Sequence, residues 1–258
     1  MQIHAYGTPR DLPESLRHHV RVLPGSSFQS FHHPFLVDIL PLGLPAPIEE
    51  ILQAREDQAW AQLEKGAVAS YIFRHERPYR MTELLRLVRG GYFDGSLRSS
   101  VRYWRLLASV WMDAEEDEAS LLWGLLLAAR LPARGAMTSS ADRRALRAMP
   151  ARLALYRGLQ AEDEDAALDA ACVGYSWTLS HATAGFFAQR HLRPDQSAWI
   201  ARTQIDRDQV IAYLTRRGEA EILVESAELD ASKIEVESLP VHRPQSPELI
   251  TLQAFFVE

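Results

Sequence analysis

Three short segments in the second half of the chain carry side chains that could do chemistry together. In Tyr156-Arg157-Gly158, a guanidinium suited to phosphate stands beside a glycine that lets a ligand approach the backbone. In Ser176-Trp177-Thr178, the hydroxyls could bind a ligand or cap the helix that follows. Glu219-Ala220-Glu221 comes directly before an apolar segment typical of a strand. Since side chains alternate along a strand, both carboxylates are expected on one side.

A strand-rich half is expected to position these segments. A helix is expected at 165–172, and another at 179–188 with Ala184, Phe187 and Ala188 on one face. Strands are predicted at 153–156, 199–205, 210–214, 222–224, 234–237 and 249–257.

The first half of the chain has a different pattern. After a Pro-, His- and Gly-rich start with short extended pieces such as 35–40, helices are predicted at 47–66, 82–88, 97–112, 118–131 and 141–148. The segment 132–140 suggests a boundary. We expect a mainly helical region at 1–149 and a strand-dominated domain at 150–258. Helices followed by strands predict an α+β protein and not an alternating α/β one.

Composition narrows the classes of function. The formal net charge is −6, and residues 151–258 hold 10 Lys and Arg against 17 Asp and Glu, which disfavours binding of nucleic acid by bulk charge. The single Cys172 excludes an intramolecular disulfide and favours a reducing compartment. The chain has no glycine-rich nucleotide loop. His18-His19 and His32-His33 lack the spacing of zinc ligands, so no metal is expected.

No apolar run is long enough to span a membrane, and the amino terminus lacks the form of a signal peptide. These features predict no membrane association and a cytoplasmic location.

In order and approximate spacing, the three segments resemble the arginine–serine–glutamate class of mono-ADP-ribosyltransferases. That family carries an arginine on its first core strand, a Ser-Thr-Ser motif on a later strand, and a Glu-x-Glu motif that opens another. The resemblance covers 153–224, and the strands expected up to residue 258 are compatible with it. Trp177 and Thr178 depart from the family motif. The resemblance implies a split β-sandwich with one or two helices in 150–258.

The resemblance also implies NAD+ as co-substrate and assigns roles in cleaving its nicotinamide–ribose bond. Glu221 would hold a ribose hydroxyl and stabilise the cation, and Ser176 would orient Glu221. Arg157 would bind the phosphates, and Glu219 would position or deprotonate the acceptor. Contacts to NAD are expected from Tyr156, Arg157, Gly158, Ser176, Trp177, Thr178 and Glu221.

The implied activity is transfer of ADP-ribose to a macromolecular acceptor, with protein slightly favoured over nucleic acid because the catalytic half is acidic. Such a protein could be a bacterial toxin or defence factor with an inhibitor or antitoxin partner, and 1–149 would recognise a target or regulator. An NAD glycohydrolase that uses water, or a non-catalytic interaction module on the same fold, are the alternatives.

The residues also allow structural interpretations. Arg157 could pair with Glu221 or with the acidic run 162–165, and Ser176 and Thr178 could only cap the next helix. The two glutamates could lie on a solvated edge strand. Trp177 could stack on a ligand ring or belong to the core.

Overall fold

The computed structural model describes residues 8–22, 28–40, 44, 47–114, 121–190, 192–215, 218, 220–225, 227 and 229–240. The chain forms two compact units, Met1–Met137 and Thr138–Glu258. Helices and antiparallel sheets are mixed, which agrees with the expected α+β class. The division falls before the expected boundary at 149/150, because Thr138 and the helix Ser140–Ala148 pack on the strand Val210–Leu214. There the Tyr213 N–H donates to Thr138 Oγ1 at 3.1 Å.

The first unit combines a small sheet with five helices in its described part. The antiparallel sheet has the order β1-β2-β3, formed by Val20–Val22, Gln29–His33 and Leu36–Ile39. The helices are α1 Ile48–Glu64, α2 Val68–Phe73, α3 Arg77–Arg89, α4 Leu97–Asp113 and α5 Leu121–Leu127. Short 3-10 helices lie at Pro9–Asp11, Glu14–His19 and Arg134–Met137.

The longest helices of this unit lie where hydrophobic periodicity predicts them. Helices α1 and α4 match the expected 47–66 and 97–112, and the hydroxyl of Ser96 caps α4 by accepting from the Ser99 N–H. Helix α3 begins before the expected residue 82, and α2 was not predicted. The expected helix 118–131 is seen as α5, and residues 115–120 lie outside the described part.

Histidine rings cluster where the 3-10 helix Glu14–His19 meets β2. The ring centroid of His19 lies 3.9 Å from that of His18 and 4.7 Å from that of His33. The Phe35 N–H donates to His33 Nδ1 at 3.2 Å, which holds that ring in a neutral form. Burial, with the nearby His19 and His18, lowers the pKa of His33 to about 4. Burial also lowers the pKa values of His19 and His32, and Arg21 adds to both effects.

These shifts predict that the first unit loses stability in mild acid. A histidine whose pKa is lower in the folded state binds its proton more readily in the unfolded state, so stability falls as the pH drops from about 6.5 to about 4. We expect about 1 to 2 kcal/mol from the half-buried His33, after allowing for solvent screening. Urea unfolding between pH 7.5 and 4.5 should show a smaller loss in His33→Gln. Equal slopes for the wild type and His33→Gln would contradict this origin of the acid effect.

In its described residues, the second unit has a six-stranded antiparallel sheet with the order β7-β8-β5-β4-β6-β9. Its strands are β4 Arg152–Ala161, β5 Ser176–Thr178, β6 Ser197–Asp206, β7 Val210–Leu214, β8 Glu221–Val224 and β9 Glu235–Ser238. Its helices are α6 Ser140–Ala148, α7 Glu164–Val173 and α8 His181–Gln189, with 3-10 turns at Arg207–Gln209 and Ala231–Lys233.

These elements lie close to their predicted positions. Strand β4 is longer than the expected 153–156, because it stays paired with β6 along its whole length. The expected strand 249–257 lies outside the described residues.

The two faces of this sheet carry different helices. Leu153, Leu155 and Leu159 alternate along β4 and share one buried cluster with Ala171 of α7. Helix α8 packs on the opposite face, where its Ala184 is fully buried.

The residue pairing of the sheet is uneven, since β4 pairs with β6 from Arg152 to Ala161 but with β5 only at Tyr156 and Thr178. The sheet is therefore nearly divided between β5 and β4.

Candidate active site

Ser176 and Glu221 meet on one face of the sheet, across the pair of strands β5 and β8. Thr178 lies directly opposite Glu221 in the register, and Ser176, two residues earlier, is its diagonal neighbour on the same face. The Ser176 hydroxyl donates to Glu221 Oε1 at 2.6 Å. Both residues are half-buried. The hydroxyl thus fixes the carboxylate, and because β8 lies between β7 and β5, Glu221 is not on an edge strand.

The side chain of Arg157 lies on the face of the core leucines, opposite Ser176 and Glu221, and it is connected to this pair through the Ser176 backbone. The Tyr175 carbonyl accepts from the Val224 N–H of β8, and the Leu179 N–H donates to the carbonyl of Ala220 just before β8, so the carbonyl of Ser176 points to the other side, toward β4. The ladder between β4 and β5 has ended there, and Arg157 Nη1 donates to that carbonyl at 2.7 Å. The guanidinium takes the place of a ladder partner. Arg157, Ser176 and Glu221 are therefore connected by two consecutive hydrogen-bond contacts.

Gly174 makes room for the arginine. A Cβ at this position would lie 2.0 Å from Arg157 Cζ and about as close to both terminal nitrogens. Gly174 lies two residues before the segment Ser176-Trp177-Thr178, and the sequence alone assigned it no role. A glycine just before the serine motif was the available signal.

We expect Gly174→Ala to detach Arg157 from Ser176. The new methyl group meets the flexible end of a side chain, so the guanidinium moves aside and the fold is kept. Loss of a hydrogen bond from a charged donor should lower any activity that depends on this site by about 10-fold. Enzyme kinetics would measure the loss of activity, and thermal unfolding of the same variant would show whether the fold is kept. A variant with unchanged kinetics would show that the arginine bond is not needed.

Gly158 makes its close approach to a helix and not to a ligand. A Cβ on Gly158 would lie 2.0 Å from the carbonyl oxygen of Ala184 and 2.6 Å from the amide nitrogen of Ala188. The expected role in binding NAD is therefore replaced by a packing role. The same contact corrects the expected face of the helix, since Ala184 and Ala188 are buried whereas Phe187 and Phe186 are 36% and 60% exposed.

Trp177 belongs to the core. Only 2% of its surface is exposed, and it packs in the cluster with Ile222 and Leu155, on the sheet face opposite Ser176. Its ring cannot stack on a ligand in this arrangement, which corrects the expected contact to NAD. Within the described residues, its buried Nε1 has no hydrogen-bond partner.

Thr178 supports the chain turn into α8. Its side chain is 7% exposed, and Oγ1 accepts from the Ser180 N–H at 3.2 Å. The helix is capped by Ser180, which accepts from the Thr183 N–H, so neither Ser176 nor Thr178 is the cap. The threonine hydroxyl is thus engaged in the backbone turn and not displayed to a ligand.

Tyr156 lies on the same face as Thr178 and Glu221, because it pairs directly with Thr178. Its half-buried ring meets the edge of the His181 ring with centroids 5.3 Å apart. His181 Nε2 is 2.7 Å from Glu237 Oε1, which fixes the imidazole beside the tyrosine. Sequence reasoning missed His181, whose position at the start of α8 was the only signal.

Glu219 is the last of the predicted site residues, and it lies outside the described residues. Burial and the neighbouring Asp169 raise the pKa of the Cys172 thiol, which makes it a poor nucleophile. In the described part of the chain, no group of three His, Cys, Asp or Glu side chains is arranged to hold a metal ion. No helix there is long and apolar enough to cross a lipid bilayer.

Comparison of this chain with protein-family models, with curated proteins and with solved structures finds no match.

Proposed function

We propose that the second unit is an NAD-dependent mono-ADP-ribosyltransferase, which cleaves the bond between nicotinamide and ribose and passes ADP-ribose to a macromolecular acceptor. The near division of the sheet between β5 and β4 supports a split β-sandwich. The three segments that resemble the family stand on β4, on β5 and at the start of β8.

One observation carries the proposal: the Ser176 hydroxyl donates to Glu221 at 2.6 Å while Arg157 donates to the carbonyl of the same serine. The resemblance implies that the serine orients the glutamate, and a hydrogen bond from the serine hydroxyl to the carboxylate would orient it. Residues 45 positions apart in sequence are brought into contact by strand register. A carboxylate held in this way stays in place while charge changes near it.

The chemistry proposed for Glu221 follows from the charge of the reaction. When the C–N bond breaks, nicotinamide leaves with the bonding electron pair, and positive charge develops on the ribose, as in glycoside hydrolysis. A fixed carboxylate that accepts a hydrogen bond from a ribose hydroxyl stabilises this cation. The acceptor nucleophile then bonds to the same ribose carbon and loses its proton, a step that the resemblance gives to Glu219.

The acceptor and biological setting are part of this proposal. Because residues 151–258 carry more acidic than basic side chains, a protein acceptor is favoured over nucleic acid. The first unit would recognise the target or a regulator, such as an inhibitor or antitoxin. The protein would act in the cytoplasm, as a bacterial toxin or defence factor.

The test is incubation of the full chain with NAD labelled in the adenosine part, with and without bacterial lysate protein. Release of nicotinamide together with label on macromolecules supports the transferase. Release of nicotinamide with free ADP-ribose alone would make the chain a glycohydrolase instead. If calorimetry shows no binding at millimolar NAD and no nicotinamide appears, both enzymes are excluded and a non-catalytic module remains.

A further inference from the structure

One row of residues crosses the sheet beside the proposed catalytic carboxylate. The register pairs Glu221 of β8 with Thr178 of β5, Thr178 with Tyr156 of β4, and Tyr156 with Arg202 of β6. Residues directly opposite each other in antiparallel strands point to the same face. Glu221 and Arg202 are therefore on one face, separated by two strands.

The spacing of this row suits an extended ligand. Neighbouring strands lie roughly 4.8 Å apart, so the backbones at Glu221 and Arg202 are separated by about 14 Å. Glutamate and arginine are both long side chains that can reach over Thr178 and Tyr156. The gap between carboxylate and guanidinium is then short enough for a single small molecule to touch both.

Arg202 has a guanidinium available for an anion. It is exposed, and within the described residues it has no hydrogen bond or ion pair, although Glu235 lies opposite it on β9. On the same face, the side chain of Arg152 is already 3.4 Å from Asp206. Arg157 alternates with the core leucines and therefore faces the other side, with one donor on the Ser176 carbonyl.

We propose that Arg202 binds the pyrophosphate of the NAD molecule whose nicotinamide ribose lies at Glu221. This assignment rests on the proposed function. It places the dinucleotide across β8, β5, β4 and β6, beside Tyr156 and the His181 ring that contacts it. A guanidinium suits this task because its parallel N–H groups match two phosphate oxygens.

The experiment compares Arg202→Gln with Arg152→Gln in the full chain. Binding is measured by calorimetry for NAD, for ADP-ribose and for nicotinamide riboside, which lacks phosphate. We expect Arg202→Gln to weaken NAD and ADP-ribose about 10- to 100-fold and to leave nicotinamide riboside unchanged. Arg152→Gln should match the wild type for all three ligands. Both substitutions are on exposed residues, so thermal unfolding should not change.

The outcomes separate this inference from the proposed function. If the wild type releases nicotinamide from NAD and Arg202→Gln binds NAD as tightly, the inference is wrong while the proposed function stands. An equal loss of nicotinamide riboside binding would also overturn it, since that ligand has no phosphate for Arg202 to hold. If the wild type binds none of the three ligands, both the inference and the proposed function fail.

Discussion

Replacing Glu221 by glutamine is expected to lower kcat for nicotinamide release from NAD by about 100- to 1,000-fold, with little change in KM. Glutamine keeps the size of the side chain, and its amide oxygen can still accept from the Ser176 hydroxyl, which now donates at 2.6 Å. The variant therefore removes the negative charge and leaves the geometry in place. The measurement is initial-rate kinetics with NAD, alongside thermal unfolding to confirm that the fold is intact.

Two further variants show whether the loss is specific to the charge of Glu221. Ser176→Ala removes the hydroxyl that donates to Glu221 Oε1 without removing the negative charge, so we expect a smaller loss of about 10- to 100-fold. Glu162→Gln removes an exposed carboxylate just beyond β4 and should behave as the wild type. Equal rates of nicotinamide release in wild type and Glu221→Gln would remove Glu221 from the mechanism.

Gly158→Ala is expected to destabilise the second unit by about 2 to 3 kcal/mol, the largest effect on folding that we predict. The new methyl group would meet the Ala184 carbonyl oxygen and the Ala188 amide nitrogen, which are backbone atoms of α8 and cannot rotate away. Helix α8 would have to move off β4, taking His181 away from Tyr156. Urea unfolding measures the loss directly.

Gly185→Ala is the matched control within the same helix. A Cβ there would lie 3.7 Å from Ile200 Cδ1 and 3.8 Å from Leu239 Cδ1, which are ordinary contact distances. Since alanine favours helix over glycine, this variant should be as stable as the wild type or up to about 1 kcal/mol more stable. If Gly158→Ala proved as stable as Gly185→Ala, the close approach of α8 to β4 would be wrong.

Predictions from the sequence were correct where the local residue pattern matches the burial of those residues in the folded protein. The apolar segment after Glu221 predicted β8 because three successive β-formers need burial on both faces, and Ile222, Leu223 and Val224 are all buried. Ser176 was selected as a hydroxyl near a strand end, and the register then placed it diagonally from Glu221. Local patterns placed both residues on strands, and the order and spacing of the three segments, through the family resemblance, nominated them for the site.

The misassigned residues are those whose role depends on partners distant in sequence. Nothing near Gly158 shows that Ala184 and Ala188 will lie against it, so the glycine was read as a ligand contact. Trp177 alternates with two hydroxyl residues, which does not reveal which face of β5 is the core. Helix α2 was missed because Val68–Phe73 is too short for its periodicity to show.

The single residue pair between β4 and β5 has a mechanical consequence. Strands β4 and β6 are paired along their whole length, and so are β5 and β8. The sheet therefore consists of two stiff panels, one containing β4 and β6 and the other β5 and β8, joined by the single residue pair between β4 and β5. Arg157 bridges the two panels by its bond to Ser176. Tilting one panel against the other strains few backbone bonds, and the strain falls on the serine that holds Glu221. Because Ser176 and Glu221 lie on the same panel and move together, the angle between the panels sets the position of the carboxylate relative to Tyr156 on β4, without any strand having to unfold.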